Sequence, residues 1–216
     1  MPVPSDRNVG AISVIAGSLL LAAYAALFPL VLPIGRGGFD YLQVVLSRWW
    51  MPLTATALIA VLLLAVGFDA VWSRLRLTTG SGGWIGFIFL KTALILQACK
   101  LTWELFLDPI IAAQPQAAFL LRDLVIFNDP AVVAFRLVSA VTIVVGVLLF
   151  GVALYQSGEF PRKALALIAI GAVVYATGAM VSVWVAIAGV VTLSVGCVLI
   201  GMRLWQNVPD PAGFEA

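Results

Sequence analysis

The sequence of 216 residues contains no histidine. This absence removes the usual axial ligand of haem, the commonest ligand of zinc and copper, and the base of every Ser-His or Cys-His nucleophile pair. Charged residues are also scarce, at 10% of the chain against roughly 25% in a soluble domain. The net charge is only +2 and no basic block occurs, so no nucleic-acid partner is expected.

Cysteine is nearly absent as well, with only Cys99 and Cys197 present, each inside an apolar run. Buried free thiols are predicted, and a disulfide between neighbouring helices is the alternative. With neither histidine nor a cysteine cluster, we predict no metal ion, no catalytic residue and no cofactor, although a bound lipid is compatible with the composition. An enzyme is therefore not expected, and the alternative is an intramembrane enzyme that uses only an Asp, Glu or Lys acid–base pair.

Apolar residues make up 63% of the chain and fall in runs of about twenty. About twenty apolar residues are needed for a helix to cross the hydrocarbon core of a bilayer, so these runs predict a polytopic membrane protein. The expected fold class is all-α, with one membrane domain over residues 1–216. The six predicted spans are residues 11–34, 51–72, 84–107, 132–155, 164–181 and 183–205.

Two connections between the spans predict short helices at the membrane surface. Residues 39–49 carry apolar side chains at helical spacing, with Tyr41 and Trp49 placed for the headgroup region. An aromatic linker without a helix is the alternative there. Residues 116–127 are apolar but too few to span, which predicts an amphipathic or re-entrant helix.

Lysine and arginine are unequally divided between the two sides of the predicted bundle. One side has Arg7, Arg74, Arg76, Arg162, Lys163 and Arg203. The other side has Arg36, Arg48, Arg122 and Arg136. By the positive-inside rule, this excess predicts that both termini lie in the cytoplasm.

The third predicted span is unusual because it is apolar but carries several polar side chains. They are Lys91, Gln97, Lys100, Glu104 and Asp108. Each charge near the centre of a bilayer costs about 2.5–3.5 kcal/mol on insertion scales, so each should have a partner. At 100° per residue the last four share one face of the helix, within about 80°, and Lys91 points the other way.

Partners for these charges can be proposed from depth and spacing. Lys100 and Glu104 are four residues apart and can pair within one turn. Arg136, early in the fourth span, is predicted to reach Glu104 or Asp108. The remaining lysine of the third span has its predicted partner in Asp69, near the end of the second span.

We hypothesise that these pairs hold a polar cavity open to the outer side, where a small amphiphilic ligand is bound or moved. The candidate residues are Lys91, Gln97, Lys100, Glu104, Asp108, Arg136 and Asp69. One alternative is that the charges only neutralise one another or extend towards water, so that nothing binds. Another is that they contact further membrane subunits, of the same or another kind, which would make the chain a structural or accessory subunit.

The stretch GVALYQSGEFPRKALALIAIGAVVYATG, residues 151–178, carries a recognisable pattern. A span ends in an aromatic residue and a polar-Ser-Gly turn, followed by Pro-Arg and a span rich in small residues. These positions are Tyr155, Gln156, Ser157, Gly158, Pro161 and Arg162. The pattern resembles an uncharacterised family of bacterial six-helix membrane proteins, the domain of unknown function of the 4386 type. The resemblance implies a six-helix bundle with a charged third span, here bearing Lys100 and Glu104 where the family often has an Arg and a Glu. It also implies a place in the bacterial cytoplasmic (inner) membrane, and it implies no activity.

Overall fold

A computed structural model describes residues 4–32 and 40–206 of the chain, leaving out the side chains of residues 4–7, 179 and 180. These ranges contain helices and no strand, which confirms the all-α prediction. The helices are α1 (Pro4–Val31), α2 (Tyr41–Val45), α3 (Trp50–Leu75), α4 (Gly80–Ala113), α5 (Phe119–Arg122), α6 (Val125–Asn128), α7 (Pro130–Ser157), α8 (Arg162–Val181) and α9 (Val183–Trp205).

Five of these helices are long and apolar enough to cross a membrane, judged by length and composition. They are α1 (over Asn8–Val31), α3, α4, α7 and α9. Among the five, α4 has the lowest mean hydropathy, 1.5, because it carries the polar side chains of the third predicted span. The remaining long helix, α8, has 20 residues and begins with Arg162 and Lys163.

The six long helices form a closed ring. Helix α1 packs on α3, α3 on α4, α4 on α7, α7 on α8, α8 on α9, and α9 on α1. The 76–79 and 158–161 connections lie at one end of the ring, which we call the lower end. Helices α2, α5 and α6 lie at the opposite, upper end. Short connections between sequential helices make them antiparallel neighbours, as in other helical bundles.

Close packing between α4 and α7 depends on two glycines. A Cβ added to Gly86 would lie 2.5 Å from the backbone nitrogen of Phe150. One added to Gly146 would lie 2.5 Å from the backbone nitrogen of Leu90. Because neither glycine has a side chain, the two backbones can approach directly, as small residues allow between apolar helices.

The upper end differs from its prediction. Within the region predicted as a helix over 39–49, the structure has only α2, whose N-cap Asp40 accepts a hydrogen bond from the Gln43 amide at 3.3 Å. Residue 39 and Arg36 lie outside the described residues. The predicted helix over 116–127 is replaced by two four-residue helices, α5 and α6, because Leu124 between them is left-handed at φ 55°. Helix α4 also continues to Ala113, beyond the predicted end at residue 107.

The lower end is held by one charged cluster. Arg74 Nε of α3 lies 2.7 Å from Glu159 Oε2, and Arg203 Nε of α9 donates to the Glu159 carbonyl at 3.1 Å. The next residue along the chain from each member of the Arg74–Glu159 pair, Leu75 and Phe160, is buried in the main apolar core. Glu159, in the α7–α8 connection, thereby contacts α3 through its carboxylate and α9 through its backbone carbonyl, and it links the two helices at that end of the ring.

Candidate binding chamber

The ring of helices surrounds an elongated cavity of about 600 Å³, which we call the chamber. Its volume falls within the roughly 300–1,000 Å³ of small-molecule sites. On α7 its lining extends from Arg136 to Leu154, which at 1.5 Å per residue is about 27 Å. This length is close to the thickness of a bilayer's hydrocarbon core, about 30 Å.

The lower part of the chamber is apolar. Its walls include Phe68 of α3, Phe150 and Leu154 of α7, and Leu165 of α8. The Phe68 and Phe150 rings meet edge to face with their centroids 6.1 Å apart. This part offers a ligand dispersion contacts and burial of apolar surface, without a charged partner.

The upper part of the chamber is polar. Gln97 of α4 donates through Nε2 to Ser139 Oγ of α7 at 3.0 Å, and its Oε1 accepts from the Tyr175 hydroxyl of α8 at 3.4 Å. One amide side chain therefore connects three helices across the chamber wall. The Tyr24 ring of α1 lines the same part from the opposite side of the ring.

One helical turn above Gln97, an ion pair lines the chamber. Lys100 Nζ lies 3.3 Å from Glu104 Oε1, and the two side chains are 35% and 14% exposed. Trp50 Nε1 donates to the Glu104 backbone carbonyl at 2.8 Å, which ties α3 to this turn of α4. The predicted pair is therefore present, and the charges of Lys100 and Glu104 neutralise each other.

Arg136 also lines the chamber, but its predicted ion pair is not formed. Among the described residues, no carboxylate oxygen lies within the 4.0 Å that defines an ion pair with Arg136. Its guanidinium instead lies over the Phe127 ring of α6, with Cζ 5.8 Å from the centroid. The prediction fails because Glu104 pairs with Lys100 and the other expected partner, Asp108, is hydrogen-bonded elsewhere.

Asp108 does not line the chamber, although it shares a helix face with residues that do. It is 3% exposed and its Oδ2 accepts a hydrogen bond of 2.5 Å from the Tyr41 hydroxyl of α2. Burial, together with the nearby Glu104 and Asp108 carboxylates, raises the pKa of the Tyr41 phenol far above its ordinary value. Asp108 therefore fixes α2 to the upper end of α4.

Lys91 and Asp69 lie on the outer surface of the ring, away from the chamber. Lys91 Nζ lies 2.6 Å from Asp69 Oδ2 and 2.7 Å from the Ala65 carbonyl. The predicted pair is thus present, with the Asp69 side chain 54% exposed. Of the seven candidate residues, the chamber brings together Gln97, Lys100, Glu104 and Arg136, and leaves out Lys91, Asp69 and Asp108.

Several polar and aromatic residues of the chamber were missed by the sequence reasoning. They include Tyr24, Tyr175 and Phe127. A tyrosine inside an apolar span needs a partner for its hydroxyl, so the sequence could have indicated Tyr24 and Tyr175 as residues of a polar site. Nothing in the sequence indicated Phe127, because its position depends on the break at Leu124.

No protein-family model, curated protein or solved structure matches the chain. The resemblance to the six-helix family of the 4386 type therefore stays a prediction.

Proposed function

We propose that this chain is a six-span membrane protein that binds a small amphiphilic ligand inside the chamber. One observation carries the proposal: a single elongated cavity is polar at its upper part and apolar at its lower part. An amphiphile has the same division of polarity along its length. Its polar end would lie near Gln97 and Lys100, and its apolar chain would extend towards Phe150 and Leu165.

The sixth span in this proposal is α8. Its 20 residues correspond to about 30 Å of helix, the thickness of the hydrocarbon core. Its place in the ring between α7 and α9 supports this, since Leu165, Ile168 and Tyr175 supply one wall of the chamber. If α8 lay on the membrane surface, that wall would be missing.

The proposed membrane is the bacterial cytoplasmic membrane, with the lower end in the cytoplasm. Support comes from five of the cationic residues assigned to that side, namely Arg74, Arg76, Arg162, Lys163 and Arg203. All five lie in or next to the lower ends of their helices. In this orientation the polar part of the chamber lies in the outer half of the membrane.

A variant that fills the chamber tests the proposal. Gly151 lines the chamber, and a Cβ added to it would meet no atom within 4 Å, so Gly151→Leu should enter the cavity without a clash. Gly82 is matched, because a Cβ there also meets nothing within 4 Å but the residue is outside the chamber lining. Native mass spectrometry of gently purified protein would measure the bound amphiphile.

We expect wild-type protein and Gly82→Leu to retain an amphiphile and Gly151→Leu to lose it, with all three remaining folded. Equal retention by Gly151→Leu would contradict the proposal. Wild-type protein that carries no amphiphile but retains a second membrane chain would favour the alternative, a structural or accessory subunit.

A further inference from the structure

The charges that line the chamber do not balance. Ser139 and Gln97 are hydrogen-bonded and so lie at one level. Since α4 and α7 run in opposite directions, Lys100 and Arg136 each lie three residues, about 4.5 Å, further towards the upper end. This level of the chamber wall holds two cations and one carboxylate, that of Glu104.

Three carboxylates that Arg136 could be expected to meet, Asp129 on its own helix terminus and Asp108 and Glu104 on α4, are already engaged. Asp129 Oδ1 accepts from the Ala131 amide at 2.8 Å and caps α7. Asp108 accepts from Tyr41, and Glu104 lies beside Lys100. Arg136 is therefore the cation of the chamber wall that no carboxylate among the described residues neutralises.

Aromatic packing orients Arg136. The Phe127 ring beneath its guanidinium packs edge to face on Tyr41, with centroids 4.7 Å apart and planes at 82°. A guanidinium held over an aromatic face by a cation–π contact still has its N–H groups available to a ligand in the plane of the guanidinium. That geometry suits bidentate hydrogen bonds to a carboxylate or a phosphate.

The same face of α7 continues from Arg136 into the apolar part of the chamber. Below it on that face lie Ile143, Val147, Phe150 and Leu154, at spacings of seven, four, three and four residues. One helix therefore presents a cation at the upper part and an apolar wall below it. Two parallel chains need about twice the volume of one at the same length, so a cavity of about 600 Å³ favours a single-chain ligand.

Building on the proposed function, we propose that the ligand is a single-chain amphiphile with an anionic head, a carboxylate or a phosphate monoester or diester. Arg136 binds the head, and the chain extends along α7 towards Leu154. Free fatty acids and lysophospholipids both have this chemistry, and the probes below distinguish them.

The test compares probes that share a sixteen-carbon chain and differ in the head group. Hexadecanoate, hexadecyl phosphate, hexadecanol and hexadecyltrimethylammonium are titrated against the full-length protein in nanodiscs of zwitterionic lipid. The variants are Arg136→Gln and, as a control, Arg122→Gln, an exposed arginine of α5 that does not line the chamber. Arg136→Lys keeps the charge without the planar donor fork.

We expect wild-type protein and Arg122→Gln to bind at least one of the two anions about tenfold or more tightly than hexadecanol, the usual range for a charge-assisted contact. Arg136→Gln should lose that preference, so that its affinities for the anions and for hexadecanol become similar, and Arg136→Lys should retain part of it. Stronger binding of hexadecanoate would indicate a fatty acid, and stronger binding of hexadecyl phosphate a lysophospholipid.

Three results would contradict the proposal that the ligand has an anionic head. The first is that wild-type protein binds the anions no more tightly than hexadecanol, and the second is that it binds hexadecyltrimethylammonium most tightly of the four probes. The third is that Arg136→Gln keeps the wild-type preference for anions. The proposal that an amphiphile binds in the chamber would still be supported after such a result if Gly151→Leu abolished hexadecanol binding. Failure of wild-type protein to bind any of the four probes would overturn both proposals.

Discussion

The hydroxyl of Tyr41 donates a hydrogen bond of 2.5 Å to Asp108, a residue 67 positions away in the chain. The Tyr41 ring also packs edge to face on Trp50 and on Phe127, with centroids 5.5 and 4.7 Å apart. Through these contacts one side chain joins α2, the start of α3, the end of α4 and α6. Because Phe127 in turn lies under Arg136, the upper wall of the chamber depends on this contact.

Replacement of Tyr41 by phenylalanine should destabilise the protein. The ring would remain, but the buried Asp108 carboxylate would lose its hydroxyl donor, which costs about 1–3 kcal/mol. The free energy of unfolding in a mixed-detergent titration would show the loss. Tyr155→Phe is the control, because Tyr155 is exposed and its ring would still lie under Arg162. Equal stability of the two variants would contradict the structural role assigned to Tyr41.

Alkaline pH should destabilise the wild-type protein more than Tyr41→Phe. Burial raises the pKa of Tyr41 in the folded state, whereas the unfolded phenol titrates near its ordinary value of 10.0. Below pH 10 both states keep the proton and no stability is lost. Above it the unfolded state releases its proton first, so the free energy of unfolding falls as pH rises. The measurement is the slope of unfolding free energy against pH from 9 to 11, and identical slopes in both proteins would refute the claim.

Loss of Glu104 should be more harmful than loss of the whole ion pair. Glu104→Gln leaves Lys100 in the chamber wall without its counter-charge, and we expect a cost of about 1–3 kcal/mol, below that of a fully buried pair. The double variant Lys100→Met with Glu104→Gln removes both charges and should recover part of this loss. A double-mutant cycle measures the coupling, and strictly additive effects would mean that the pair contributes nothing.

The outer-surface pair should affect folding and leave ligand binding unchanged. Lys91→Leu leaves Asp69 without its partner in an apolar stretch of α3, at an insertion cost of roughly 2.5–3.5 kcal/mol for a charge at the bilayer centre and less nearer the surface. The double variant Lys91→Leu with Asp69→Leu should recover the yield of folded protein. Hexadecanol binding per folded molecule should equal that of wild type in every case. A weakened affinity in the double variant would place this pair in the ligand site after all.

Much of the bundle could be predicted from the sequence because apolar runs have a required length in a membrane. The pairs Lys100–Glu104 and Lys91–Asp69 also followed, since a charge at that depth demands a partner at a similar depth. Helical periodicity placed Gln97, Lys100 and Glu104 on one face. Each of these inferences needs only the periodicity of one helix, or the depth in the membrane of two residues on neighbouring helices.

The upper end could not be predicted in the same way. A left-handed leucine has no sequence signal, because that conformation is unfavourable for a residue with a Cβ and must be imposed by its surroundings. The break at Leu124 places Phe127 under Arg136, and this explains why the arginine makes a cation–π contact where an ion pair was predicted. Asp108 was expected in the cavity because periodicity gives a direction around α4 but cannot reveal that α2 covers its last turns.

Photochemical labelling tests the chamber most directly. Two hexadecanoate probes, one with a diazirine near the carboxylate and one with it near the methyl end, would be irradiated with wild-type protein in nanodiscs and the labelled peptides sequenced. The account predicts that the first labels the region around Arg136 and Tyr175, and that the second labels Phe150, Leu154 or Leu165. Labelling by both probes only on the outer surface of α3 and α4, near Trp103 and Phe106, would contradict a ligand inside the ring.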